Sequence, residues 1–292
     1  MTKGFHDKLF FSIYTTAMAS HHRIFVGFLL ATSLLTVLSL AFFVEPGRIE
    51  VTHYDMRRQR DEASLRLVQL SDLHLQAFGK HEESLLNQVK KLRPDLVVLT
   101  GDMIDRADAL PLLQSFVENL GSTPLIAVPG NWEHWSNLDF ENLRATIESQ
   151  TRNHFLLNGQ SSFTKGNRTI QLIGLDDFTG GSPDLSLLER MGDLQKKQIT
   201  TVLLQHSPGF FDLSEVRRIM GLDRFTLCLS GHTHGGQITI AGWIPFTPRG
   251  SGHFVAGFYD IPGCRLYVSR GVGTSIISAR LGSRPELVVF DL

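Results

Sequence analysis

The chain begins with an unbroken apolar run and then changes rhythm. Ile24 to Val44 reads IFVGFLLATSLLTVLSLAFFV, with no charge and no polar face at any helical spacing. This run matches the roughly 20 residues that cross a bilayer core and exceeds the roughly 7–15 of a signal-peptide core. It predicts an uncleaved transmembrane helix. Beyond about Ser64, short apolar runs alternate with amphipathic stretches. Leu65–Leu70, Leu96–Thr100, Leu125–Val128, Thr169–Leu175, Thr201–Gln205 and Phe225–Ser230 read as mostly buried strands. Between them Glu82–Leu92, Leu110–Leu120, Leu138–Ser149 and Asp184–Met191 read as helices. Leu85, Leu86, Val89 and Leu92 give the first of these one apolar face. Such alternation predicts an α/β fold with parallel pairing. After Gly235 the helices stop, and Gln237–Ile240, Phe254–Tyr259, Arg265–Ser269 and Glu286–Phe290 read as strands of a second, more antiparallel sheet. The predicted organisation is an N-terminal flank (1–23), a membrane anchor (24–44), a linker (45–63) and a catalytic domain (64–292).

Composition narrows the function. With 42% apolar and 20% charged residues, the 292-residue chain has enough apolar surface for a large core. A formal net charge of -1 removes the usual electrostatic case for a nucleic-acid partner. The two cysteines, Cys228 and Cys264, have no metal-type spacing and are expected to be reduced, as in the cytoplasm. Basic residues flank the anchor on both sides: Lys3, Lys8 and Arg23 before it, Arg48, Arg57, Arg58 and Arg60 after it. The positive-inside rule then tips the large domain to the cytoplasmic side by one charge, four against three.

Polar residues collect at strand ends. "SDLHL" supplies Asp72 and His74, "GD" supplies Asp102, "PGN" supplies Asn131, His206 follows the fifth strand, and "GHTH" supplies His232 and His234. Each alone is ordinary turn or core chemistry. Their repetition at five strand ends is not, because sites in open α/β sheets form beyond the carboxyl ends of strands. Imidazole and carboxylate without thiolate suit manganese, iron or zinc. Seven ligands exceed the need of one tetrahedral ion and suit two metals roughly 3.5–4 Å apart that share a carboxylate.

In this order "SDLHL", "LTGD", "VPGN", "LLQHSP" and "SGHTHGGQ" resemble the calcineurin-like metallophosphoesterases, from about Leu65 to the C-terminus. The resemblance implies a four-layer sandwich of two mixed β-sheets flanked by helices. It implies that Asp72, His74 and His234 bind one divalent ion and that Asn131, His206 and His232 bind another. Asp102 would bridge the two ions, which are expected to be manganese, with iron or zinc as alternatives. Water attacks phosphorus in line in such a site, with no covalent enzyme intermediate.

The family pattern is Gly-Asn-His followed by an acidic residue, but here Trp132 stands in the histidine position. Indole has an N–H but no useful acid. His134 is therefore a candidate acid beside Asp102 and Asn131, with support of a metal ligand or a place on the surface as the alternatives. Without an acid, the site favours a leaving group that needs no proton, such as a phosphate. Trp132, Trp243 and Phe246 are candidate substrate contacts, the last two on the "AGWIPFTP" loop. Anchor and aromatic loop together point to membrane lipid and an amphiphilic, phosphate-containing substrate. The chain is similar to the anchored UDP-2,3-diacylglucosamine hydrolases of lipid A synthesis, which release UMP and 2,3-diacylglucosamine 1-phosphate at the bacterial inner membrane. An outward-facing envelope phosphodiesterase of broad specificity is the alternative. Oligomeric state is not legible in the chain.

Overall fold

The computed structural model describes residues 22–57, 64–190, 200–221 and 225–292. It divides between Val44 and Glu45 into two units. Lys3, Lys8, Arg58, Arg60 and Met191 lie outside the described residues. Helix α1, His22–Gly47, is long and apolar enough to cross a membrane. It ends in a π-helical segment, Leu40–Val44, and a 3-10 turn, Glu45–Gly47. Ile24, Phe28, Leu30 and Leu35 are all exposed on it, so it has no core-facing stripe.

The second unit holds two six-stranded mixed sheets. One runs β1 (Glu50–Asp55), β12 (Glu286–Asp291), β2 (Arg66–Leu70), β3 (Leu96–Thr100), β4 (Leu125–Val128), β5 (His154–Phe155). The other runs β10 (Gly257–Ile261), β11 (Cys264–Val268), β9 (Leu227–Ser230), β8 (Thr200–Leu204), β7 (Arg168–Gly174), β6 (Gly159–Lys165). The central strands are apolar on both faces because both faces are covered. Val97 and Leu99 of β3 point to one core while Leu96 and Val98 point to the next. On β9, Leu227 and Leu229 face the other sheet while Cys228 faces outward. Helices α2 (Lys80–Leu92), α3 (Leu110–Leu120) and α5 (Phe140–Ile147) cover the first sheet through Leu85, Phe116 and Leu143. Helices α6 (Leu185–Arg190) and α7 (Ser214–Met220) cover the second through Leu188 and Val216. Helix, sheet, sheet and helix form the expected four layers.

Three expectations need correction. The C-terminal strands do not form a sheet of their own. β10 and β11 extend the second sheet, with β11 parallel to β9, and β12 enters the first sheet between β1 and β2. Gln237–Ile240 is not a strand; it makes only isolated bridges, because Gln237 turns the chain with φ 53°. Cys228 and Cys264 are joined in a disulfide, their Cα atoms 6.1 Å apart on neighbouring strands, rather than reduced.

The segment read as a linker carries β1, paired in parallel along β12 from Glu50 to Asp55. Removing residues 1–44 is therefore expected to leave the unfolding midpoint of the remaining domain intact. Removing 1–63 strips β1 and the Thr52 Oγ1 to Glu286 bond of 2.7 Å, and is expected to cost about 1–3 kcal/mol. Urea melts of the two truncations, compared side by side, check this.

Candidate metal centre

Parallel pairing of β2, β3 and β4, and of β8 and β9, brings five carboxyl ends to one edge of the sandwich. The seven proposed ligands sit there and all are buried. Five of them, Asp72, His74, Asp102, His232 and His234, have φ between 45° and 71°. Left-handed backbone is uncommon outside glycine and persists where the surroundings over-determine it, typically at functional sites. The glycine of "GD" is required by proximity: at Gly101, φ 87°, a Cβ would lie 2.5 Å from His206 Nδ1.

Two groups form. Asp72, His74 and His234 make one, and Asp102, His206 and His232 the other; within each group the ligand atoms lie within 4.8 Å of one another. Nε2 of His74 and His234 face each other at 3.1 Å, and Asp72 Oδ1 is 3.5 Å from the latter. Asp102 Oδ2 lies 3.1 Å from His206 Nε2 and 3.8 Å from His74 Nε2, between the groups. His232 Nδ1 lies 2.8 Å from Asn131 Oδ1, which adds Asn131 to the second group.

The donor set fits metal ions because acceptors face acceptors. His206 donates through Nδ1 to Thr100 O at 2.6 Å, which leaves a lone pair on Nε2 against the Asp102 carboxylate. That Nε2 is buried without a hydrogen-bond partner. His232 donates through Nε2 to Arg249 O at 2.8 Å, which aims its Nδ1 lone pair at Asn131 Oδ1. His74 holds its Nδ1 proton on Asp105, so its Nε2 is also a lone pair. With neutral imidazoles the His206–Asp102 and His232–Asn131 pairs are repulsive unless a cation stands between them, whereas His74 Nε2 accepts from Nε2 of His234, whose Nδ1 takes an Arg280 N–H at 3.2 Å. Protonation tendencies reflect the same need. Burial opposes an imidazolium at His206, yet the charge of Asp102 lifts it well above the ordinary value. Burial, then repulsion from His74 and Arg280, holds His234 well below it, in the neutral form that binds metals.

Several supporting groups were not singled out in the sequence. Asp105 orients His74, and its place three residues after Asp102 in "GDMID" was the available signal. Glu133 accepts four backbone N–H bonds: Asp102 and Gly130 on Oε2 at 3.0 and 2.7 Å, Met103 and Ile104 on Oε1 at 2.7 and 3.1 Å. It thereby ties the turn after β3 to the start of α4 (Asn131–Trp135). Burial and the neighbouring Asp102 push its carboxyl up to about 7, against the pull of those N–H groups. Asp177 holds the N–H groups of Thr179, Gly180 and Ser207. Replacing Asp105 by Asn is expected to weaken metal affinity by about 10–100-fold, the usual effect of losing a carboxylate behind a ligating histidine. Competition with a chelator measures it, and His154→Ala is the neutral control.

A cavity of about 670 Å³ opens over the site, lined by Asp102, Asn131, His232 and His234 together with Trp132, Trp135, Phe178 and Phe246. Trp132 is therefore at the cavity, and its backbone N–H donates to Asp102 Oδ1 at 2.9 Å. His134 is not among the lining residues. Its Nε2 pairs with Asp176 Oδ1 at 2.6 Å and its ring packs on Phe140. Phe246 lines the cavity, whereas Trp243 is 65% exposed and does not.

The calcineurin-like phosphoesterase pattern matches residues 65–236, more than half of the chain. The chain belongs to the calcineurin-like phosphoesterase family. It is accordingly a metal-dependent phosphoester hydrolase of a dinuclear-metal family. It is 28% identical over 271 residues to the uncharacterized metallophosphoesterase YkuE of Bacillus subtilis, covering 86% of this chain and 88% of that one. It is 26% identical over 278 residues to the phosphodiesterase YaeI of Escherichia coli, covering 91% and 97%. A transmembrane protein with a metallophosphoesterase domain from Bos taurus is 28% identical over 281 residues, covering 88% of this chain and 60% of its own length.

Proposed function

We propose that this phosphoesterase hydrolyses a pyrophosphate or phosphodiester bond in a lipid-linked substrate, with α1 as its membrane anchor. The observation that carries this reading is an apolar groove of about 410 Å³ that continues from the metal cavity. The two share His234, Phe246, Pro248, Ser275 and Ile276. A substrate lying across both would put phosphorus at the metals and a hydrocarbon chain in the groove.

The rim of the groove is costly to build. Ile276 is 87% exposed and has φ 63°, a conformation β-branched residues avoid. Ile277 N–H donates to Ser275 O at 2.6 Å, closing a γ-turn of the rarer hand around it. The Gln237 amide holds this turn through Ser275 O, Ile277 O and Ser275 N. Strain so thoroughly fixed, presenting an apolar side chain to solvent beside a metal centre, supports a binding role.

Bound metal ions, manganese in this proposal, would supply charge for the phosphoryl oxygens and a lowered pKa for the attacking water. The chain's own residues would hold those ions: Asp72, His74 and His234 on one side, Asn131, His206 and His232 on the other, Asp102 between. Trp132 would cover the reacting phosphoryl group. UDP-2,3-diacylglucosamine has the required parts, a pyrophosphate and two acyl chains, and is the substrate to assay, with identification of UMP and 2,3-diacylglucosamine 1-phosphate. Ile276→Asp should lower kcat/KM on that lipid at least tenfold more than on a water-soluble aryl diester. Equal effects on both would count against the groove.

A second reading changes the side of the membrane. The Cys228–Cys264 disulfide favours an oxidising compartment and thus an outward-facing envelope phosphodiesterase over a domain in the cytoplasm at the inner membrane. Protease cleavage of a tag after Leu292 in intact spheroplasts would support the outward reading, and full protection would refute it.

A further inference from the structure

We infer that Arg249 is the group that receives the departing phosphate when a pyrophosphate bond is cleaved in this site. The inference rests on the pyrophosphate branch of the proposed function. Arg249 is the one Arg or Lys side chain among the described residues lining the metal cavity. It is exposed, and among the described residues no acidic side chain pairs with its guanidinium.

Its backbone is held firmly. Arg249 O accepts the His232 Nε2 proton at 2.8 Å, Ser251 N–H closes a turn onto Pro248 O at 3.2 Å, and Gly209 N–H donates to Gly250 O at 2.7 Å. Gly250 has φ 101°, and a Cβ there would meet Thr179 Oγ1 at 2.1 Å. The loop is thus packed against Thr179, which also lines the cavity. The guanidinium springs from a fixed root beside a proposed metal ligand, and among the described residues none takes up its N–H groups.

The rest of the cavity explains why a cation is wanted. Apart from the proposed ligands and Arg249, the aromatic and hydroxyl side chains of the described lining are Trp132, Trp135, Phe178, Thr179, Phe246 and Ser275, none of which gives up a proton near neutral pH. His134 is turned to Asp176. The site supplies charge but no acid. In the step, water oxygen bonds phosphorus and the bridging P–O bond breaks. Its electron pair leaves on the departing phosphate, and the water protons are shared between the two phosphate products and solvent. The departing oxygen needs a counter-charge rather than a proton, and guanidinium gives a bidentate one that stays charged throughout.

The test uses full-length Arg249→Gln and Arg249→Lys, assayed on UDP-2,3-diacylglucosamine, on a short-chain UDP-sugar and on bis(4-nitrophenyl) phosphate, with metal content measured on each protein. The expected result is that Arg249→Gln keeps two metals and loses about 10–100-fold more kcat/KM on the pyrophosphates than on the aryl diester, the range for a lost charge-assisted hydrogen bond. Arg249→Lys should recover part of that selective loss. Equal losses on all three substrates, or none on the pyrophosphates, would overturn the assignment. A wild-type protein that cleaves the aryl diester but neither pyrophosphate would instead refute the pyrophosphate branch itself.

Discussion

Asp102→Asn is expected to abolish turnover while leaving the protein folded. Asp102 Oδ2 lies between the two ligand groups, so its loss uncouples both metals, whose joint contribution of several kcal/mol corresponds to roughly 10³-fold or more in kcat. The fold should survive for a specific reason. Asparagine keeps an Oδ1 that can accept the Trp132 N–H. Its amide can donate to a neutral His206 Nε2 where the carboxylate oxygen now stands, so a hydrogen bond replaces the ion pair. The metal-free variant should therefore stay folded, its midpoint lowered by no more than the lost Asp102–His206 ion pair. Calorimetry of both after dialysis against a chelator, beside steady-state assays on an aryl diester, gives the comparison. Near-normal kcat with two metals bound would remove Asp102 from the bridge.

Glu133→Ala is expected to have the largest effect on stability. Its carboxyl is fully buried and accepts from the N–H groups of Asp102, Met103, Ile104 and Gly130. Truncation leaves four buried donors without partners, each worth about 1–3 kcal/mol, so a loss of about 4 kcal/mol or more follows even with some rescue by water. Glu133→Gln should be nearly as damaging, since its NH₂ would point at N–H groups. Because Glu133 holds the backbone on both sides of the site, metal binding should fail along with stability. Urea unfolding at neutral pH measures the effect; a change within 1 kcal/mol of wild type would mean that the four bonds carry no net stability.

The sequence disclosed what local physics controls. β3 and β4 were legible to the residue because both faces are buried and the runs are uniformly apolar. The candidate ligands were legible because each lies within a few residues of such a run. β1 and β6 were missed because they are edge strands with exposed or half-buried positions, and EVTHYD or GQSSFTK has no apolar rhythm to read. α4 was hidden by its length, five residues that read as a turn. The disulfide could not be seen because Cys228 and Cys264 meet only after β11 takes its place beside β9. Glu133 and Asp177 act on backbone N–H groups brought together by the fold, so their roles have no signature in spacing alone, and Asp105 had only its place in "GDMID". His134 shows the limit of closeness in sequence, since the fold pairs this candidate acid with Asp176.

The most direct measurement is the metal stoichiometry of the purified, full-length protein against its activity. Elemental analysis after stepwise reconstitution of chelated protein should find two metal ions per chain, with hydrolysis of an aryl diester rising only as the second site fills. Full turnover with one ion per chain, or after complete chelation, would contradict a paired centre built on facing acceptors.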